Sequence, residues 1–299
     1  VAKKVAKLCS EDMFSYWLLL LLRNFICLLP VGTARGVGRF LGETAFYLDG
    51  KHRAIALENL RLSFSEERDP GRLRYLARQS FGQLGFNLVE LLRIPRFIRS
   101  GWQSNFSVRG EEHIRAAFER GKGVIFVISH FGNWEYLGFM PRLLSFHGGA
   151  VGQKIKNPAV DGMIKDSREL IGLDLFSKRE VVSSIGSYLR KNGAVAILAD
   201  QRTRRMSVDI KFFGRPAPTT AAPAVLALKT GAALIPVFIF FESDGRYQVV
   251  FEQEVSIQSG LPVREAVREL TRRFTAVFEE KIRERPELWF WVHRRWGKE

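Results

Sequence analysis

The chain has 299 residues, 46% of them hydrophobic, enough to bury a full core and too apolar for a disordered chain. Its 46 Lys and Arg against 31 Asp and Glu leave a formal charge of +15 that recurs along the length, a field that draws acidic partners such as nucleic acid, an anionic membrane or an acidic protein. Two cysteines, Cys9 and Cys27, exclude a disulfide framework and a metal-ligand pattern, and they suit a reducing compartment.

Residues 1–30 open with "KKVAK" and continue into "FSYWLLLLLRNFICLLP", Phe14 to Pro30, where Arg23 and Asn24 interrupt the apolar run. About 20 apolar residues span a bilayer, so the segment is expected to be a membrane-associating helix, interfacial or shallowly inserted, with Trp17, Leu18 and Leu21 as contacts. A buried core helix is the alternative. No small-residue cleavage site follows, which argues against a cleaved signal peptide. From Val31 to Arg99 the apolar spacing is helical, as in "AIALENLRLSF" and "FGQLGFNLVELL". Pro70 with Gly71 punctuates that region and Pro95 is expected to end it. "GVGRFLG" at Gly36 misses the dinucleotide spacing and follows no strand.

From about Val108 the period changes. Short β-rich runs, "GVIFVIS", "GAVAILAD", "ALIPVFIFF" and "YQVVFEQEV", alternate with helical stretches at 159–171 and 181–191. Val263, Val267, Leu270, Phe274, Phe278 and Ile282 form one stripe of a later helix. The alternation predicts an α/β fold with a mostly parallel central sheet flanked by helices. Residues 31–299 read as one α/β domain, helical over 31–105 and sheet-containing over 106–299.

In open α/β sheets, chemistry collects where strands end and helices begin. "SHFGNWEYLG" begins at Ser129, directly after the most apolar strand. His130 stands at the strand end, Gly132 and Asn133 permit a sharp turn, and Glu135 falls in the first helical turn. In a continuous helix the two side chains would diverge by about 140°, so only a bend lets Glu135 reach the imidazole. A carboxylate on one ring nitrogen fixes the tautomer and leaves the other as base. With no built-in nucleophile, such a pair suggests a substrate that brings its own hydroxyl, the acyltransferase arrangement. An ordinary strand-to-helix corner is the competing reading.

His52, His113 and His147 lie in polar or loop-like surroundings, and His293 in a basic, Trp-rich tail. No H-E-x-x-H helix, paired-cysteine cluster, G-x-S-x-G elbow or Walker loop occurs, so no metal is expected. In the C-terminal "WFWVHRRWGKE", Trp289 and Trp291 among arginines would suit a lipid headgroup layer or pack as a tryptophan-anchored tail. The high pI alone would also fit a nucleic-acid binder, but no nucleic-acid motif is present and the Leu-rich start has no purpose there.

"HRAIALENLRLSF", "SHFGNWE", "KNPAVDGMI", "LADQ", "FFGRPAPTTAAPAVLALKTGAALIPVF" and "PELWFWVHRRW", in that order, resemble the late acyltransferases of lipid A biosynthesis, within the wider His-x4-Asp/Glu glycerolipid acyltransferases. The resemblance covers nearly the whole chain. It implies a catalytic pair, His130 as base with Glu135 as partner, Asp200 of "LADQ" as an active-site acid, and a place on the cytoplasmic face of the inner membrane. It implies transfer of an acyl group from acyl carrier protein, or acyl-CoA, to a hydroxyl of a lipid A precursor. The phosphopantetheine would arrive with the donor, and no cofactor would be bound. A phosphatidylinositol mannoside or lysophosphatidate is the alternative acceptor. Asn133, Gln153, Lys154 and Lys156 are candidate substrate contacts, Gln153 standing at or near a position where many relatives carry arginine. Arg202, Arg204 and Arg205 form a candidate anion-binding cluster, with a solvated basic loop as the alternative.

Overall fold

The computed structural model describes residues 10–152, 155, 157–177, 184–203, 206–256 and 260–297. Four helices come first: α1 (Ser10–Leu28), α2 (Val31–Leu48), α3 (Gly50–Ser63) and α4 (Pro70–Ile98). Their starts follow from capping. The Asp49 carboxylate accepts the His52 N–H at 3.0 Å, and that of Asp69 accepts the Gly71 N–H at 2.8 Å with Pro70 in the first turn. Pro95 does not end α4, which runs on to Ile98. Proline removes one intrahelical bond, and here the last turn closes through the Arg99 N–H onto Arg96 and Phe97 carbonyls.

The glycines of "GVGRFLG" serve helix packing. A Cβ on Gly42 would sit 2.1 Å from the Phe81 carbonyl oxygen of α4, and one on Gly85 would sit 2.0 Å from the Gly38 oxygen of α2. Backbone therefore meets backbone where α2 crosses α4, and no larger residue fits at that crossing.

The seven-stranded sheet runs in the order β1 (Phe106–Arg109), β9 (Tyr247–Phe251), β8 (Ala233–Phe241), β2 (Val124–Ile128), β5 (Ala194–Leu198), β3 (Gly148–Gly152), β4 (Asp174–Ser177). Only the β8–β9 pair is antiparallel, so the sheet is mostly parallel, as its alternating pattern predicts. A separate hairpin joins β6 (Ser207–Phe212) to β7 (Arg215–Thr220). The remaining helices are α5 (Glu111–Glu119), α6 (Met140–Leu143), α7 (Pro158–Ile171), α8 (Ser184–Arg190), α9 (Ala222–Thr230) and α10 (Val263–Glu284).

Every residue of β2 is buried, which explains its unbroken apolar run. Ile125 and Val127 face one core layer, shared with α10 through Phe274, Phe278 and Ile282. Val124, Phe126 and Ile128 face the other, shared with Tyr136, Phe139 and Phe251. Full burial of each such side chain contributes roughly 1.5–3 kcal/mol. α10 presents the expected stripe, except that Val263, its first residue, is exposed.

Among the described residues no helix is long and apolar enough to cross a membrane. Helix α1 nevertheless leaves Trp17, Leu18 and Leu21 at 51%, 57% and 66% exposure. The expected tail contacts are corrected: Trp289 and Trp291 are 3% and 0% exposed, packed ring against ring at 4.6 Å inside the main core. They anchor the tail and offer no surface to lipid.

Candidate active site

Strand β2 ends at Ile128, and its C-terminal edge delivers His130. Gly132 takes a left-handed φ of +57°, and a Cβ there would meet the Ile239 carbonyl oxygen at 2.0 Å. Only glycine permits this turn. Beyond it, Trp134–Phe139 form a 3-10 turn.

The carboxylate that meets the imidazole is Asp200. His130 Nδ1 lies 2.7 Å from Asp200 Oδ1, and the His130 backbone N–H donates to Asp200 Oδ2 at 2.8 Å. Asp200 is 2% exposed. The reading of Glu135 as the ring's partner is therefore corrected. Its carboxylate turns to Arg168 of α7, which grips it with two bonds, Nη2 to Oε1 at 2.8 Å and Nε to Oε2 at 3.1 Å. The 3-10 turn carries Glu135 away from His130 and toward α7.

Burial alone would push the Asp200 carboxyl up, but the facing imidazole, the two bonds from His130 and the Trp289 indole hold it below the usual carboxylate range. Asp200 is thus an ionised acceptor that favours the tautomer with the proton on Nδ1. The Gln201 amide Nε2 lies 3.3 Å from the His130 Nε2. His130 is half-buried between the rings of Trp134 and Phe290, at 5.1 and 5.6 Å.

A buried polar network braces the turn from behind. Asn87 of α4 donates to the Gly132 carbonyl at 2.7 Å and accepts from Gln83 at 2.7 Å. Glu90 accepts from Arg35 at 3.1 and 3.3 Å and from the Tyr247 hydroxyl, while its carbonyl accepts from Tyr136 at 3.1 Å. Burial, then the Glu90 charge, holds both tyrosine hydroxyls well above their ordinary range. Asn133 belongs to this layer. It is buried and donates to the Tyr247 hydroxyl at 3.4 Å, which corrects its reading as a substrate contact.

Arg202 is exposed, with its guanidinium against Gly297 of the tail. Gln153, Lys154, Lys156, Arg204 and Arg205 lie outside the described residues. His293, set aside in the sequence as a tail residue, sits within electrostatic reach of His130 and Asp200; burial holds it below the usual imidazole range.

An apolar cavity lies near this pair, reached through Trp134, whose ring stands 5.1 Å from that of His130. Glu135, Arg168 and Trp134 stand among its lining. The parallel register aligns Ile128 with Leu198, Phe126 with Ala196 and Ala150, and Val124 with Ala194 and Gly148. Reading back from His130, the wall passes Ile128 and Leu198, then Phe126, Ala196 and Ala150, then Ala194 and Gly148. Small residues on β3 and β5 create the slot. At about 3.3 Å per residue, the four residues from the Ile128 level back to the Ala194 level give it a depth of roughly 13 Å. Phe126, Phe146 and Phe251 pack together on its wall at 5.7 and 5.4 Å.

Among the described residues no cluster of His, Cys, Asp or Glu forms a metal site. The arrangement is an imidazole held by a buried carboxylate, close to an apolar slot.

A phosphatidylinositol mannoside acyltransferase of Mycobacterium tuberculosis is 28% identical over 195 residues, 63% of this chain and 59% of that one, so the matched region spans under two thirds of that relative. A lipid A biosynthesis palmitoleoyltransferase and a lauroyltransferase of Escherichia coli are 25% and 27% identical, each over 89% of this chain and 86% of theirs. The solved 1-acyl-sn-glycerophosphate acyltransferase PlsC of Thermotoga maritima aligns over 88% of this chain and 100% of its own at 17% identity, with a TM-score of 0.37. The profile described as "Bacterial lipid A biosynthesis acyltransferase" matches residues 3–298. The chain belongs to the bacterial lipid A biosynthesis acyltransferase family.

Proposed function

We propose that the protein moves a fatty acyl group from a carrier thioester onto a hydroxyl of a membrane glycolipid, with His130 as general base. The observation that carries this reading is the His130–Asp200 pair close to an apolar cavity that Trp134, whose ring meets that of His130, helps to line. Such a site needs a substrate that supplies the hydroxyl and a second group that fills the slot, and an acyl chain fills it.

The acceptor hydroxyl would displace the Gln201 amide from Nε2 and give up its proton as its oxygen bonds to the thioester carbonyl. Asp200 keeps the tautomer and offsets the imidazolium charge that forms. Collapse of the tetrahedral intermediate then breaks the C–S bond and returns the proton to the leaving thiolate. The developing oxyanion needs donors. The Phe131 and Gly132 N–H groups already bond Ser129 and Leu288 carbonyls, so the role falls to the displaced Gln201 amide and the backbone at the start of the 3-10 turn. The Glu135–Arg168 pair at the mouth offers one acceptor and one cation to an arriving polar headgroup.

A lipid A precursor is the acceptor best supported, through the family and the two Escherichia coli relatives matched over 86% of their length. A mannosylated phosphatidylinositol is the second reading, favoured by the mycobacterial relatives. Acyl carrier protein suits the +15 charge as donor, and the phosphopantetheine would travel with it. The cytoplasmic face of the inner membrane is the place of work proposed, supported by the family and by the apolar residues that α1 leaves exposed.

The test offers acyl carrier protein and coenzyme A thioesters with lipid A precursor, mannosylated phosphatidylinositol and lysophosphatidate, and reads products by mass spectrometry. A new ester on lipid A precursor that vanishes in His130→Ala is expected. Product on none of the three acceptors, or undiminished product in His130→Ala, overturns the reading.

A further inference from the structure

The C-terminal segment makes a set of contacts that the acyl-transfer chemistry does not by itself require. The backbone bridge between Phe131 and Trp289 is flanked by two bonds, the Gly132 N–H to the Leu288 carbonyl at 2.9 Å and the Phe290 N–H to the His130 carbonyl at 3.0 Å. Residues 288–290 thus lie along the turn that carries His130. Trp289 then reaches across the pair, and its indole Nε1–H donates to Asp200 Oδ2 at 2.8 Å, the same oxygen that accepts from the His130 backbone. The segment is itself fixed: the Asn59 amide of α3 donates to the Trp291 and His293 carbonyls at 2.6 and 2.7 Å.

We infer that Trp289 is a positioning residue that sets the basicity of His130 through Asp200. Asp200 Oδ1 faces the ring and Oδ2 takes two N–H bonds, so both oxygens of the carboxylate are held. The indole dipole withdraws part of the negative charge from Asp200. The imidazolium is correspondingly less stabilised, so the indole lowers the basicity that Asp200 alone would give the ring. The other ionisable groups around the pair are His293, Arg202 and Arg295, on the tail and on the loop after Asp200; Glu135, next in the chain to Trp134, is paired with Arg168. Arg295 reinforces the arrangement. It is buried, bonds the Pro218 carbonyl at 2.9 Å, and has Asp200 as its attractive charge, while burial pulls it down to about 10.

This inference rests on the proposed reaction, but its primary readout does not. Trp289→Phe keeps a ring and removes the N–H. Trp291→Phe is the control, because its indole bonds the Pro286 carbonyl at 2.6 Å and it packs in the same core without touching Asp200. Histidine titration followed by NMR in the full chain, assigned with His130→Gln, is expected to place His130 higher in Trp289→Phe by about one unit, an energy of roughly 1.4 kcal/mol, and to leave it unmoved in Trp291→Phe. If transfer is measurable, the acid limb of kcat/KM moves up by the same amount, with about a tenfold loss below it. An unmoved or lowered His130 titration in Trp289→Phe, or an equal shift in Trp291→Phe, overturns the role whether or not the transfer reaction is found. Should Trp289→Phe fail to fold, Trp289→His supplies a smaller ring with its own N–H and is expected to restore the wild-type titration of His130; failure to do so in a folded protein counts against the role.

Discussion

His130 was legible in the sequence because a polar side chain directly after a fully apolar strand sits at the carboxyl end of a sheet, where groups stay accessible. Proximity along the chain points to the wrong partner. Glu135 is near in sequence and far in direction, whereas Asp200 is brought in by sheet register: Ile128 pairs with Leu198, and two residues further on, 130 stands beside 200. The signal was present in the matching endings "VIFVISH" and "AVAILAD", each with its polar residue two beyond the strand. Asp200→Asn is accordingly expected to abolish nearly all transfer, because an amide cannot offset the imidazolium. The double change with His130→Ala should cost no more than the single changes, since residues that act as one unit are not additive; steady-state rates of the three variants check this.

Glu135 and Arg168 make a different prediction. Removing either partner leaves a charge in a mostly buried pair, with an expected cost of about 2 kcal/mol. Glu135→Gln with Arg168→Met should recover part of that loss, and chemical denaturation of the single and double variants measures the coupling. Additive losses would mean that the pair is not coupled in stability. Acid should also unfold the protein in two stages. His293 is held low by burial, so stability is full above its ordinary value of 6.5 and declines as pH falls below it. Asp200 is held low as well, so its contribution is present above 3.8 and is lost as pH falls through its folded value. His293→Gln should remove the first stage and leave the second in a pH series of thermal melts.

At the scale of elements, the fully buried strands β2, β5 and β8 and the amphipathic α10 were readable because burial on both faces, or on one stripe, leaves a periodic mark. β3, "GGAVG", carried no such mark. Its glycines and alanine leave the slot open, a demand from the cavity that suppresses strand propensity. The same demand yields a test: Ala150→Leu should fill the slot at the level of Phe126, so that the longest acyl chains fall in kcat/KM by an order of magnitude or more while shorter ones are spared. Competition among thioesters of graded length reads the change, and an unchanged length profile would take the acyl chain out of this cavity. The glycine crossing of α2 and α4 was likewise seen only as a failed nucleotide motif, because close backbone approach needs the absence of side chains and leaves no period of its own.

For the molecule as a whole, charge and exposed apolar surface act together. α1 presents Trp17, Leu18, Leu21, Phe25 and Leu28, and α2 presents Phe40, Leu41 and Leu48, all exposed. α1 packs on α4 and on α7, the helix that carries Arg168, so the apolar surface and the mouth of the slot share a helix. Surface of this kind on a chain of +15 should bind anionic vesicles in two parts. Coulomb attraction fades as the Debye length falls from about 10 Å at 0.1 M salt to about 3 Å at 1 M. Apolar insertion survives that screening. Sedimentation with anionic vesicles is therefore expected to weaken as salt rises and to level off above zero. Leu18→Ser with Leu21→Ser and Phe25→Ser should leave binding that is wholly lost at 1 M salt, because exposed positions can be changed without emptying the core. Release of the unmodified protein at 1 M salt would show that α1 does not insert, and persistent binding of the triple variant would shift the anchor to the exposed residues of α2.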